Sequence, residues 1–236
     1  MKKIILLILS FICIIPLFAS SDISEKKGYR EVTNYSTIYD EKESSIVRIY
    51  DNNTFKGTGI IIKSTNNKEK YKYYVLTNKK VIKDATNLKV GMGLIYTGNI
   101  YYTSENLEYV IIEYETILTQ AVWNLTKIDD KYLNKGYFIG VLGYSMEYNL
   151  QLFQGVLSLS NDKYLYYDAS TNYYNTGSAL FNIYGNIIGL VIYNEEELSN
   201  NDEVILLNSS TDTRLHKALN INYIIDDLNT NLKDFL

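Results

Sequence analysis

The chain has 236 residues, of which 46% are hydrophobic and 21% are charged. These proportions are typical of a folded globular protein and exclude a disordered one. Lysine and arginine together number 23 against 27 aspartates and glutamates, which gives a net charge of −4. This acidic balance argues against nucleic acid as the partner. The 24 tyrosines and the single proline are typical of an AT-rich genome, so we expect a bacterial source.

The N-terminal segment has the pattern of an export signal. A basic start, Lys2-Lys3, is followed by the apolar run 4–18 and then by the small residues 19–21. This order predicts a secretory signal peptide at residues 1–20, because the apolar run is too short for a comfortable membrane span. We therefore expect a secreted or periplasmic protein with no membrane contact beyond this segment. An uncleaved N-terminal anchor is the alternative.

Short strand-like runs fill the body of the chain from residue 44 onward. They are rich in Val, Ile, Tyr and Thr, and Asn, Asp, Gly and Ser fill the intervals between them. The predicted strands are 45–50, 57–62, 71–77, 88–90, 99–103, 107–114, 120–125, 137–142, 152–158, 164–168, 178–183, 186–193 and 203–207. Strands spaced in this way predict an all-β barrel or sandwich.

The C-terminal segment has helical periodicity instead. Its apolar residues recur at intervals of three and four, which places them on one helix face. They are Ile221, Ile224, Ile225, Leu228, Leu232 and Leu236. We therefore predict a signal peptide (1–20), an N-terminal extension (21–43), a first β-barrel (44–130), and a second β-barrel with a C-terminal helix (131–236).

Six segments, taken in order, resemble those of the trypsin-like serine protease family, especially its bacterial secreted and heat-shock branch. They are Gly57 to Ile62, Tyr74 to Ile82, Thr119 to Trp123, Phe138 to Gly143 with Gln154 to Ser158, Asp168-Ala169 with Tyr174 to Leu180, and Gly185 to Leu190. Their counterparts in the family include G-[ST]-G-F-[IV]-[IV], T-N-x-H-V, D-[IL]-A-[VL]-L and G-N-S-G-G-P-L. The resemblance implies two six-stranded antiparallel β-barrels followed by a C-terminal α-helix.

The resemblance also implies the positions of the catalytic groups, and here the sequence departs from the family. The family uses a Ser nucleophile, a His base and an orienting Asp. Lys80 stands at the His position, Thr119 at the Asp position and Thr176 at the Ser position. The oxyanion-hole glycine is replaced by Tyr174, and the second glycine after the nucleophile by Ser178. Because losing triad members costs about 10⁴ to 10⁶ in rate, we expect a pseudoprotease, an inactive homologue of serine endopeptidases.

Other functions remain open at this stage. Thr176 or Ser178 could act as the nucleophile of a peptidase with Lys80 as the base. A lysine base must lose its proton near neutral pH, which needs a desolvated site, whereas Lys79, Lys80 and Lys83 together suggest a solvated loop. A structural or adhesive envelope protein is a third interpretation. The pseudoprotease interpretation predicts a peptide or protein partner, and the sequence leaves the oligomeric state open.

Metal and cofactor chemistry receive little support from the sequence. The only histidine, His216, lies far along the chain from Lys80. No cluster of Cys and His has the spacing of a zinc site, and no Gly-rich segment has the form of a phosphate loop. We therefore expect no metal and no cofactor.

Overall fold

A computed structural model of the chain describes residues 35–66, 69–145, 149–192 and 215–236. The predicted signal peptide and the predicted strand 203–207 lie outside these ranges. The helices are α1 (Tyr35–Lys42) and α2 (Ile221–Asn231). The strands are β1 (Ile46–Asp51), β2 (Thr54–Asn66), β3 (Tyr71–Asn78), β4 (Leu88–Gly91), β5 (Ile95–Thr97), β6 (Asn99–Thr103), β7 (Tyr109–Thr116), β8 (Phe138–Tyr144), β9 (Leu150–Ser160), β10 (Tyr164–Tyr167), β11 (Ala179–Asn182), β12 (Ile187–Ile192) and β13 (His216–Asn220).

The first seven strands form one antiparallel sheet in the order β5-β4-β1-β2-β3-β7-β6. Its two end strands, β5 and β6, are separated along the chain only by Gly98, whose N–H donates to the Leu88 carbonyl at 2.9 Å. A side chain at Gly98 would come within 3.0 Å of both Ile112 and Val90, so the chain can bend there only because the residue has no Cβ. β5 and β6 are thus two arms of one bent segment, and the sheet curves into a half-barrel.

The next six strands form a closed barrel in the order β10-β13-β12-β11-β8-β9. Helix α2 follows β13 directly and begins at Asn220, whose side chain accepts the N–H of Asn222 at 3.0 Å. Its buried residues, Ile221, Ile224, Ile225 and Leu228, lie on the predicted apolar face. The predicted all-β class with a C-terminal helix is confirmed. Within the described ranges, neither helix has the length and apolar character needed to cross a bilayer.

The segment between the two barrels does not form the strand predicted at 120–125. The Trp123 N–H donates to the Ile61 carbonyl at 2.8 Å, and its indole N–H donates to the Gly185 carbonyl at 2.9 Å. The indole also packs against Phe181, with ring centroids 5.4 Å apart. The apolar residues of this segment are therefore used to bridge the two barrels, and no neighbouring strand forms a ladder with them.

Helix α2 makes a second contact between the barrels. The Asp227 carboxylate accepts hydrogen bonds from the hydroxyls of Tyr109, at 2.5 Å, and Tyr102, at 3.0 Å. Both tyrosines belong to the first sheet, whereas α2 follows the last strand of the second barrel. A charged acceptor therefore fixes the first sheet to this helix.

Candidate active site

Lys80 lies in a tight turn at the end of β3. The turn is a single 3-10 helix, Lys79–Ile82, and the Asn78 side chain caps it by accepting the Lys80 N–H at 2.8 Å. Val81 is buried in the first barrel, whereas Lys80 is half-buried. The sequence Asn-Lys-Lys-Val thus forms a capped turn that presents a lysine where the family presents its histidine.

Thr176 follows a second turn of the same kind in the other barrel, the single 3-10 helix Tyr173–Asn175. The next residue, Gly177, has a φ of +86°, and a side chain on it would approach the Thr58 carbonyl oxygen to 2.1 Å. Glycine is therefore required here, both for the backbone conformation and for the space. The Asn175 side chain anchors the turn by donating to the Tyr144 carbonyl at 3.1 Å.

The two turns meet at Gly57 in β2. A Cβ on Gly57 would lie 2.8 Å from the Val81 side chain and 2.9 Å from the Thr176 carbonyl oxygen. The neighbouring Thr58 N–H donates to that same oxygen at 3.0 Å. The structure thus brings the predicted positions Lys80 and Thr176 to one place between the barrels. We call the surface between these two turns the cleft.

Neither candidate nucleophile has its hydroxyl presented for attack. The Thr176 side chain is 2% exposed and donates to the Tyr173 carbonyl at 2.6 Å. The Ser178 hydroxyl is fully buried without a hydrogen-bond partner and faces Gly143, where a Cβ would lie only 1.7 Å from its oxygen. In the part of the chain that the structure describes, no hydrogen bond joins the Lys80 side chain to either hydroxyl.

The oxyanion position is closed by hydrogen bonds within the turn. The Tyr174 N–H donates to the Asn172 side chain at 3.0 Å, and the Thr176 N–H donates to the Tyr173 carbonyl at 3.1 Å. The Tyr174 ring stacks on Phe55 with centroids 5.9 Å apart. An oxyanion hole needs free N–H donors directed at the developing charge, and here both donors already have acceptors.

Thr119 does not lie beside Lys80. It is exposed in the segment after β7, and its neighbour Gln120 donates its N–H to the Tyr73 hydroxyl at 2.8 Å. Tyr73 lies near the start of β3, about 16 Å of strand from Asn78 at its end. The predicted Asp position, Thr119, therefore lies toward the end of β3 opposite to the Lys80 turn.

The acidic residue that the sheet brings next to the Lys80 turn is Glu108. β3 and β7 are antiparallel with Asn78 opposite Tyr109, and the Lys79 N–H donates to the Glu108 carbonyl at 3.1 Å. The half-buried Glu108 carboxylate lies within 3.5 Å of the Tyr164 hydroxyl of the second barrel. The β3–β7 pairing thus places an acidic residue next to the Lys80 turn, and we expect Glu108 to take the orienting role. The sequence contains a signal that could have identified Glu108. Like the aspartate of the family's D-[IL]-A-[VL]-L segment, Glu108 directly precedes an apolar run, Tyr109 to Ile112.

Comparison with known proteins identifies the architecture. Residues 57–190 match the model of the trypsin-like peptidase domain. The chain belongs to this family. The predicted trypsin-like double barrel is therefore confirmed.

Two solved structures are similar to the chain. The serine endoprotease from Yersinia pestis has a TM-score of 0.65 and 20% identity, covering 86% of this chain and 68% of its own. Rv3671c from M. tuberculosis, in a mutant and inactive form, has a TM-score of 0.62 and 16% identity, covering 84% of this chain and 92% of its own. At such identities the likeness concerns the fold. No curated protein sequence matches the chain.

The described ranges contain no candidate metal site. No group of three or more His, Cys, Asp or Glu side chains comes together there.

Proposed function

We propose that the chain is a secreted or periplasmic trypsin-like domain without peptidase activity, which holds an extended peptide or protein segment in the cleft. The observation that carries this proposal is the closed turn, in which the N–H groups of Tyr174 and Thr176 are both bonded internally. The location rests on the export pattern of residues 1–20.

The closed turn removes the stabilisation of the oxyanion, whereas the loss of the histidine removes the general base that activates the nucleophile. Loss of one oxyanion donor costs about 10² to 10³ in rate, and loss of triad members costs about 10⁴ to 10⁶. The Thr176 hydroxyl, which donates to the Tyr173 carbonyl, would have to break that bond before attack. Binding needs none of these groups, so a cleft between two barrels can hold a segment that it does not cut.

A peptidase that uses Thr176 with Lys80 is the second candidate. It is favoured by one observation, the meeting of their two turns at Gly57. It also requires that the turn reopen and that the Thr176 hydroxyl rotate toward the lysine, so the substrate would have to supply the energy of that rearrangement.

The experiment is a retention assay with peptides from unfolded casein, read by mass spectrometry. We expect intact peptides to be retained, and Tyr173→Ala to reduce retention because Tyr173 is 43% exposed in the turn beside the cleft. Tyr223→Ala is the matched control, since Tyr223 is 39% exposed on α2. Retention that is equal in both variants would contradict binding in the cleft and favour a scaffold with its binding surface elsewhere.

A further inference from the structure

Four aromatic rings form a continuous row across the seam between the barrels. Tyr50 meets Phe55 edge to face at 5.9 Å, Phe55 stacks on Tyr174 at 5.9 Å, and Tyr174 meets Tyr173 edge to face at 5.5 Å. The first sheet supplies Tyr50 and Phe55, and the turn before Thr176 supplies the other two. We call these four residues the aromatic row. Tyr173 is exposed, Tyr50 and Tyr174 are half-buried and Phe55 is buried, so the ring surface that remains open to solvent belongs to the three tyrosines.

Four lysines lie on the chain segments next to this row, although the chain is acidic overall. They are Lys56, Lys79, Lys80 and Lys83. Lys56 directly follows Phe55. Gly57 lies about 7 Å along the strand from Phe55. Gly57 packs against Val81, which belongs to the turn that carries Lys79 and Lys80. In the described ranges, no ion pair joins any of the four to a carboxylate.

Three carboxylates lie near these lysines, and two of them have other contacts. Asp51 accepts the N–H groups of Thr86 and Asn87, each at 2.9 Å. These bonds, led by that of Asn87, lower the pKa of Asp51, and the nearby charge of Lys56 lowers it further, so Asp51 partly compensates Lys56. Glu108 lies against Tyr164. The third, Asp84, is exposed next to Lys83. The positive charge beside the row is therefore only partly compensated.

We infer that the cleft takes an acidic, proline-rich extended segment, with prolyl rings on the aromatic row and carboxylates toward the lysines. This inference rests on the proposed function and names the partner class. A polyproline helix suits an aromatic surface because its backbone is already extended and its prolines have no N–H to satisfy. Its carbonyls can accept hydrogen bonds from tyrosine hydroxyls, and acidic side chains complement the lysines.

The test uses fluorescence anisotropy with three labelled peptides and the purified protein. One peptide repeats proline and aspartate, a second replaces aspartate by lysine, and a third replaces proline by alanine. We expect the first to bind about tenfold more tightly than the second, with weakening at high salt. Tyr173→Ala should weaken it about three- to tenfold, as loss of an aromatic contact does, and Lys80→Ala should also weaken it.

Two exposed residues of the C-terminal region provide the controls. Tyr223→Ala and Lys233→Ala remove the same side-chain types outside the cleft, and we expect unchanged binding. Equal affinity for the acidic and basic peptides, or no effect of Tyr173→Ala, would overturn the inference. If casein peptides were still retained through Tyr173 in that case, the proposed function would stand. If neither the casein peptides nor the acidic peptide bound, both would fall.

Discussion

The N–H of Tyr174 donates to the side-chain oxygen of Asn172 at 3.0 Å, and this bond closes the turn at the centre of the candidate active site. Asn175 strengthens the closure, because its own side-chain oxygen accepts the Asn172 N–H at 2.8 Å while its amide group reaches the Tyr144 carbonyl. The closed state is thus built from reciprocal side-chain bonds, as at a capped helix terminus.

Placing the family's catalytic residues at positions 80, 174 and 176 should reveal which side chain orients the new histidine base. In the triple variant Lys80→His/Tyr174→Gly/Thr176→Ser, glycine removes the stack on Phe55 and permits the backbone to rotate its N–H toward the cleft. We expect measurable cleavage of a peptide ester. Adding Glu108→Gln should lower it by about 10²-fold or more, because the β3–β7 pairing places Glu108 next to the turn that carries the new histidine.

Thr119→Ala in the same triple background is the control, and it should leave the rate unchanged because Thr119 is exposed at the other end of β3. A rate that fell with Thr119→Ala and not with Glu108→Gln would refute the assignment of Glu108.

The contact of Ser178 with Gly143 can be tested by a double-mutant cycle. Gly143→Ala should destabilise the protein by about 1–3 kcal/mol, because the new Cβ would lie 1.7 Å from the Ser178 hydroxyl oxygen. Adding Ser178→Gly should recover part of this loss, since it removes that hydroxyl. Chemical denaturation of the four proteins gives the coupling energy, and additive effects would show that the two residues do not touch.

Asp227 should contribute more to stability than its neighbour Asp226. Asp227→Asn weakens the acceptor of two tyrosine hydroxyls, which should lower the free energy of unfolding by about 1–3 kcal/mol. Asp226→Asn removes an exposed ion pair with Lys127, worth about 0–1 kcal/mol. Urea denaturation compares the two, and equal effects would contradict a role for Asp227 in joining α2 to the first sheet.

The free energy of unfolding should fall at high pH because the folded protein holds the Tyr109 hydroxyl in its protonated form. Burial raises the pKa of Tyr109 above its ordinary value, and the hydrogen bond to Asp227 raises it further. Above pH 10 the unfolded chain loses this proton while the folded chain keeps it, so the free energy of unfolding decreases as pH rises. Thermal unfolding between pH 8 and about 11 should show this decrease. Tyr109→Phe should make it shallower, and an unchanged slope would exclude Tyr109 as a source.

The fold could be predicted from the sequence because its strands are marked by composition and its turns by Gly and Asn. The orienting residue could not, because Thr119 and Glu108 both precede apolar runs and only the pairing of β3 with β7 chooses between them. The closure of the oxyanion position was also beyond the sequence. It depends on where the Asn172 side chain points, although the loss of glycine at Tyr174 signalled a change there.

Single-turnover hydrolysis of unfolded casein by the purified protein, followed by mass spectrometry beside Lys80→Ala and Thr176→Ala, tests the proposed lack of peptidase activity most directly. The closed turn predicts no cleavage above the uncatalysed level in any of the three proteins. Cleavage by the unaltered protein that disappears in both variants would contradict it and establish a threonine–lysine peptidase.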